Sequence, residues 1–292
     1  MAAPATGNII RANDCILARH PCFSKHAARR FGRIHLPVAL GCNIQCNFCK
    51  REYDCVNESR PGVTSRILDP TEAIVRLENV LTRFDNIHTV GIAGPGEPLA
   101  SNATFETFRR IRARQRDLHL CVSTNGLLLP EKIEALSALK VNTLTVTVNA
   151  VDSLIGAQIY AWIHHQGVLY RGNEAARLLI DQQLHGIAAA VSKGILVKVN
   201  SVMIPSINDQ HMIAIAKRVS TLGVYVQNII PLIPQYRLHH IKPPTRAQHL
   251  AVRAAAARHI RQMEHCRRCR ADAVHLLHKD LSQKLFPNKV PV

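Results

Sequence analysis

The stretch IHLPVALGCNIQCNFC, residues 34–49, decides how the rest of the chain is read. Its first half, Ile34 to Leu40, is an apolar, partly β-branched run of strand length. Its second half sets Cys42, Cys46 and Cys49 in C-x3-C-x2-C spacing, with Phe48 just before the last cysteine. That spacing presents three thiolates to one four-iron cluster and leaves the fourth iron without a protein ligand. Zinc sites also use short cysteine spacings; a position directly after a first strand is what makes this one specific.

From residue 34 onward, β-branched apolar runs alternate with stretches of helical periodicity. The expected strands are Ile34 to Leu40, Thr89 to Ala93, Leu118 to Ser123, Thr143 to Asn149, Leu196 to Ile204 and Val224 to Ile230. Helices are expected over 70–84, 104–115, 130–140, 173–186, 208–223 and 245–262. Asp69 caps the first helix, with Pro70 at its first position and Glu72 in its first turn. The fold class is therefore α/β, a parallel (β/α) barrel that is either partial, with six units, or complete. Polar and glycine-rich motifs fall just after strand ends: GCNIQCNFC after the first, GPGEP (Gly94 to Pro98) after the second and STNG (Ser123 to Gly126) after the third. In parallel β/α folds such loops converge on one face, and that face holds the site.

Nine cysteines, an apolar content of 47% and a formal net charge of +17 in 292 residues bound the function. The apolar content fits a globular core and excludes disorder as an overall description. The N-terminus lacks the apolar core of a signal peptide, and no apolar span approaches membrane length, so a cytoplasmic setting is expected. There, an odd set of clustered cysteines reads as metal ligands or redox groups before it reads as disulfides. Positive charge concentrates in RRIRAR (Arg109 to Arg114) and CRRCR (Cys266 to Arg270). It would suit nucleic acid or acidic partners. Aromatics are only 4%, however, which is poor material for base stacking, so a solvated basic surface is the preferred reading.

Six further donors extend the cysteine loop: His20 and Cys22 in HPC, Cys55 in YDC, Cys121 in LCVSTNG, and Cys266 with Cys269 in HCRRCRADA. They divide into three ligands for each of two additional cubane clusters. Cys266 and Cys269 are close enough to hold one cluster, whereas spacing does not distribute the other four, and Cys15 is left over. Taken singly, Cys121 in a strand would be a small buried hydrophobe and His20 a surface histidine. Ser123 and Asn125 in STNG, Thr147, Asn149 and Asn200 are polar groups near later strand ends, suited to ribose, adenine or carboxylate.

The cysteine loop and GIAGPGEP (Gly91 to Pro98) resemble the radical S-adenosylmethionine superfamily. This resemblance implies S-adenosylmethionine chelated on the open iron, its sulfonium bond broken by one electron, and a 5′-deoxyadenosyl radical as product. Gly94, Gly96 and Glu97 would receive the methionine amino group, the glycines permitting close backbone approach. Phe48 belongs to the same cluster-loop pattern. Across HPC, CNIQCNFC, YDCVNESRPGV, GIAGPGEPLA, STNG, KVNSVMIP and HCRRCRADA, the chain is more narrowly similar to the NifB family of nitrogenase cofactor biosynthesis. That similarity implies an enzyme whose substrate is a pair of four-iron clusters. One S-adenosylmethionine would methylate a cluster sulfide, a second would yield the radical that takes hydrogen from the methyl, and fusion around a carbide would give an eight-iron precursor.

On this resemblance, Cys42, Cys46 and Cys49 would hold the radical-generating 4Fe-4S cluster, and His20, Cys22, Cys55, Cys121, Cys266 and Cys269 the two substrate clusters. Glu58 and Arg60 in NESRPG would serve as acid/base or anion-positioning residues. The implied partners are an iron–sulfur cluster donor, an electron donor, a separate precursor carrier and a cofactor-maturation scaffold, with neither membrane nor nucleic acid. Residues 20–285 would form the superfamily domain, 1–19 a flexible N-terminal extension and 286–292 a tail, without the C-terminal carrier domain of many relatives. Two other readings stand beside it: a superfamily enzyme that modifies RNA or a peptide, and a non-catalytic iron–sulfur carrier.

Overall fold

The computed structural model describes residues 14–55, 57, 63, 65–115 and 117–286. In chain order its strands are β1 (Gly32–His35), β2 (Ile44–Cys46), β3 (Ile87–Ile92), β4 (His119–Thr124), β5 (Thr143–Thr147), β6 (Tyr160–His165), β7 (Val168–Tyr170), β8 (Leu196–Met203), β9 (Val226–Pro231), β10 (Val274–Leu276) and β11 (Lys279–Asp280). Strands β1, β3, β4, β5, β8 and β9 pair in that order, all parallel. The antiparallel β10 and β11 extend the sheet beyond β1. Edges β9 and β11 do not pair with each other among the described residues. The sheet is thus a curled, open half-barrel with six parallel strands, the partial form of the two expected.

The first strand is shifted from its expected span. It begins at Gly32 and ends at His35, because Pro37 has no N–H to donate to a ladder. Beyond it the chain makes single links, such as Leu68 N to Pro37 O at 2.9 Å and a bridge between Ala39 and Pro95. The small sheet β2-β6-β7 is an addition to the sequence reading. Its β6–β7 hairpin turns on Gln166 and Gly167, with φ of +49° and +80°, the pair of positive angles that a two-residue turn of the right twist demands.

The helix over Pro70–Leu81 opens as expected. Asp69 accepts from the Thr71 and Glu72 amides, and Glu72 accepts from the Asp69 amide, a reciprocal cap worth about 1 kcal/mol. The helix over Gly172–Ser192 runs past Gly186, where the sequence reading ended it. A Cβ on Gly186 would lie 2.7 Å from Leu129, so the glycine serves close packing against the helix over Leu129–Ala138. Residues 14–19 of the expected N-terminal extension are helical, and Ile16 packs with Phe23, Leu196, Val226 and Met263.

Strand alternation positions the site. Side chains two residues apart on a strand share a face. Arg33 and His35, Cys121 and Ser123, Thr145 and Thr147, Lys198 and Asn200 are such pairs, and all line interior cavities of the half-barrel. The intervening Ile34, Val122, Val146 and Val199 pack into the main apolar core with helix residues such as Leu77, Phe108 and Ile187. Each such buried apolar side chain contributes about 1.5–3 kcal/mol.

Candidate functional site

The C-terminal ends of β3, β4 and β5 carry the first cavity, about 460 Å³ in volume. Cys42, Cys46, Cys49 and Cys55 line it, with Gly96, Glu97, Ser123, Asn125 and Thr147 opposite. The cysteine loop is held by its own side chains. Gln45 donates to the Cys46 carbonyl at 2.9 Å and to the Cys49 carbonyl at 2.8 Å, and Arg51 donates to the Gln45 side chain at 2.8 Å. Strand β2 pairs with β6, which fixes the loop to the small sheet. Across the cavity, Asn125 donates to Asn43 at 2.7 Å and to the Cys42 sulfur at 3.7 Å.

Glu97 is buried and occupied. Its carboxylate accepts from the Leu99 amide at 3.0 Å, the Asn125 amide at 2.7 Å and the Thr124 hydroxyl. It ties the GPGEP loop to the STNG loop. Gly96 is set where its amide reaches the Ala39 carbonyl at 2.6 Å, and a Cβ there would fall 2.1 Å from the Gly41 carbonyl oxygen. Only glycine permits this approach of the two motifs.

The second cavity, about 600 Å³, lies nearer the N-terminal ends of the same strands. His20, Cys22, Cys121, Cys266 and Cys269 line it, together with Arg33, His35, Lys198, Asn200 and Asn228. Asn57 and Ser123 line both cavities, so the two adjoin. His20 is 1% exposed, and its ring nitrogens contact the Cys22 amide at 3.1 Å and the Thr143 hydroxyl at 3.2 Å. Arg33, also 1% exposed, donates to the His275 and Leu276 carbonyls and to the Cys269 sulfur at 3.3 Å, and pairs with Asp280 at 3.5 Å. It holds the C-terminal segment that carries Cys269 onto β1. Asp54 ties the chain before Cys55 to the chain after Cys269: it accepts from Ser65 N at 2.8 Å, Ser65 Oγ at 2.6 Å and Ala271 N at 3.2 Å.

Burial dominates the thiol chemistry. It pushes the Cys22 thiol up to about 12 against the opposing charge of Lys198, and Cys49 up to about 11 against Arg51. Cys46 and Cys55 are raised well above the ordinary range, first by burial and then by neighbouring thiols. His20 is held well below its ordinary value by burial, with His119 and Lys198 adding repulsion. Neutral imidazole is the form that ligates metal, whereas the thiols must release protons to do so.

The structure brings together four of the predicted cysteines in the first cavity and five of the predicted donors in the second. Cys55 is therefore placed with the C-x3-C-x2-C cysteines, apart from the other five. Among the described residues, no three or more His, Cys, Asp or Glu side chains are grouped so that they could hold a metal ion. Of the predicted S-adenosylmethionine contacts, Gly96, Glu97, Ser123, Asn125 and Thr147 line the first cavity and Asn200 the second. Phe48 instead packs in an apolar cluster with Ile44, Tyr160 and Leu179. Asn149 is fully buried and accepts from Val202 N at 2.8 Å. Gly94 lines neither cavity; it precedes a cis peptide bond to Pro95, with φ of +128°. Glu58 and Arg60 lie outside the described residues, and Cys15 is exposed. The sequence reading missed Arg33, His35, Lys198 and Asn228; polar residues at alternate positions of apolar strands were the available signal.

Residues 36–219 match the radical SAM superfamily, and the chain belongs to it. Its donor set and its glycine cradle fit the superfamily's four-iron cluster and S-adenosylmethionine. The chain is 45% identical over 281 residues to the FeMo cofactor biosynthesis protein NifB of Klebsiella pneumoniae, covering 94% of this chain and 60% of that protein. It is 43% identical over 264 residues to the protein of that name from Chlorobaculum tepidum, covering 89% and 62%. These relatives bear out the narrower resemblance read from the motifs. The chain spans about 60% of the length of these curated relatives. A radical SAM methyltransferase from Sphaerobacter thermophilus shares the fold, with a TM-score of 0.57 and 20% identity over 79% of this chain and 64% of that one. Among the described residues no helix is long and apolar enough to cross a membrane.

Proposed function

We propose that this chain is a radical S-adenosylmethionine enzyme of nitrogenase cofactor biosynthesis that inserts a carbide while fusing two four-iron clusters into an eight-iron precursor. The observation that carries the reading is the adjacency of two cavities. One is lined by the C-x3-C-x2-C cysteines, the other by His20, Cys22, Cys121, Cys266 and Cys269, and they share Asn57 and Ser123. A second nest of thiols beside the first gives further clusters a place to bind.

When bound, a four-iron cluster with S-adenosylmethionine on its open iron supplies the electron that releases a 5′-deoxyadenosyl radical. Cys42, Cys46 and Cys49 would hold that cluster. Gly96, Asn125 and Thr147 would meet the methionine and nucleoside parts, with Glu97 keeping the two loops in register through Asn125 and Thr124. His20, Cys22, Cys121, Cys266 and Cys269, with Cys55 two residues from the shared Asn57, would hold the substrate clusters. Each thiol gives up its proton on binding iron. Arg33, Lys198 and Arg268 line the second cavity and offset the negative charge of thiolate-bound clusters. Glu58 and Arg60 keep their proposed acid/base and anion-positioning roles.

The partners proposed are a cluster donor, an electron donor, a precursor carrier and a maturation scaffold. No disulfide joins any of the nine cysteines, which suits a reducing, cytoplasmic setting. The test is anaerobic iron and sulfide analysis of reconstituted protein, followed by reduction and addition of S-adenosylmethionine. About twelve irons per chain, three four-iron clusters, with 5′-deoxyadenosine and S-adenosylhomocysteine both formed, is the expected result. About four irons with 5′-deoxyadenosine alone would overturn cluster fusion.

A further inference from the structure

Cluster substrates must reach a cavity whose walls include His20 and Cys121, both buried. One surface pocket adjoins it. Arg267 and Leu277 line both the second cavity and an outer pocket of about 780 Å³, whose other walls are Lys25, Ala28, Arg29, His265 and His278. Lys25, Arg29 and Arg267 are exposed, and no carboxylate belongs to this lining. Among the described residues, none of the three forms an ion pair. The pocket beside the first cavity differs, since it sets Glu52 and Asp54 against Arg51.

The sequence of the ligand segment explains the placement. In Cys266-Arg267-Arg268-Cys269, Arg268 turns inward and donates to the Pro231 carbonyl, while Arg267 stays exposed at the outer pocket. His265, in the wall of the outer pocket, contacts the Pro21 carbonyl at 3.0 Å, which joins the segment of His20 and Cys22 to that of Cys266 and Cys269. A cleft lined by one sign of charge concentrates the opposite ion and raises its on-rate by about 10 to 1,000-fold.

We propose that this basic pocket is the port through which anionic, thiolate-ligated four-iron clusters reach the second cavity. The inference rests on the proposed function. Binding proceeds by ligand exchange: a protein thiol sulfur bonds to iron, the departing thiolate takes the thiol proton, and no electron changes hands.

The test follows anaerobic loading of the whole chain with a four-iron cluster ligated by 2-mercaptoethanol, at low and high salt. The quantity read is the rate of iron uptake beyond the first cluster, together with the end point. Lys25→Glu/Arg29→Glu should slow that uptake about tenfold at low salt, flatten its salt dependence and leave the end point unchanged. Lys25→Arg/Arg29→Lys should keep the wild-type rate. Arg83→Glu/Arg218→Glu, the same charge change at exposed sites outside this pocket, should alter it by less than about twofold. Full-speed loading of the first variant, or equal slowing by the distant one, overturns the port. A wild-type end point of only about four irons overturns the cluster-fusion reading and the port with it. Failure of the port alone leaves that end point full.

Discussion

The two cavities gather similar donors by opposite routes. In the first, Cys42, Cys46 and Cys49 come from one eight-residue stretch braced by its own Gln45 and by the neighbouring Arg51. In the second, the donors come from three distant places, 20–22, 121 and 266–269, closed by Arg33, Asp280 and Asp54. A local site depends on the loop's conformation; a distributed site depends on the closure of the whole half-barrel. The teaching of this contrast is that the first cavity should survive damage that empties the second.

The sharpest break between them is a pair of ligand substitutions. Cys46→Ala should abolish 5′-deoxyadenosine formation, while Cys121→Ala should retain it and lose only iron of the second cavity. Iron analysis and product assay on both variants check this; equal loss of 5′-deoxyadenosine would make the cavities one site. Next in size, Arg33→Met leaves the buried Asp280 without its cation and should cost about 3–5 kcal/mol. Denaturant unfolding reads the stability, and iron content should fall in the second cavity with the first still filled. Gly96→Ala tests the opposite side. A Cβ 2.1 Å from the Gly41 carbonyl oxygen forces two backbones apart, at a cost of about 2–3 kcal/mol. It should weaken S-adenosylmethionine binding, measured by calorimetry on loaded protein, and spare the iron of the second cavity.

The smallest effect lies outside both cavities. His211 accepts the Val151 amide at 3.0 Å, and burial holds its pKa below the ordinary 6.5. The folded ring is therefore neutral where the unfolded one begins to charge, so its contribution, about 1 kcal/mol, is present above pH 6.5 and fades as pH falls below it. A melting series should show less acid loss in His211→Asn, with both iron pools unchanged. A change in either pool would mean that the segment after β8 supports a cavity.

Much of the fold is legible in residues because it rests on local rules. The six parallel strands follow β-branched runs, and the helix after Asp69 follows its cap. The small sheet was not legible: Ile44 to Cys46 is hidden inside the cysteine motif, and its partner β6 has little alternation beside the Gln166–Gly167 turn. Phe48, read with the cofactor, packs in the core, since an aromatic next to a cysteine carries no sign of which way it faces. Glu97 was legible as a carboxylate at the loop, but its three acceptor contacts depend on where STNG lands.

By itself the sequence determined the three-cysteine loop and the six strand–helix units, because spacing and periodicity act over a few residues. Only the tertiary structure decided that His20, Cys22, Cys121, Cys266 and Cys269 share one cavity while Cys55 sits in the other. It also decided that Arg33 and Lys198 supply charge among them, and that Arg267 lines both the second cavity and a basic outer pocket. The reason is physical. Which residues of separate strands face one interior is set by register and by the closure of β10 on β1, long-range pairings that no local stretch of chain encodes.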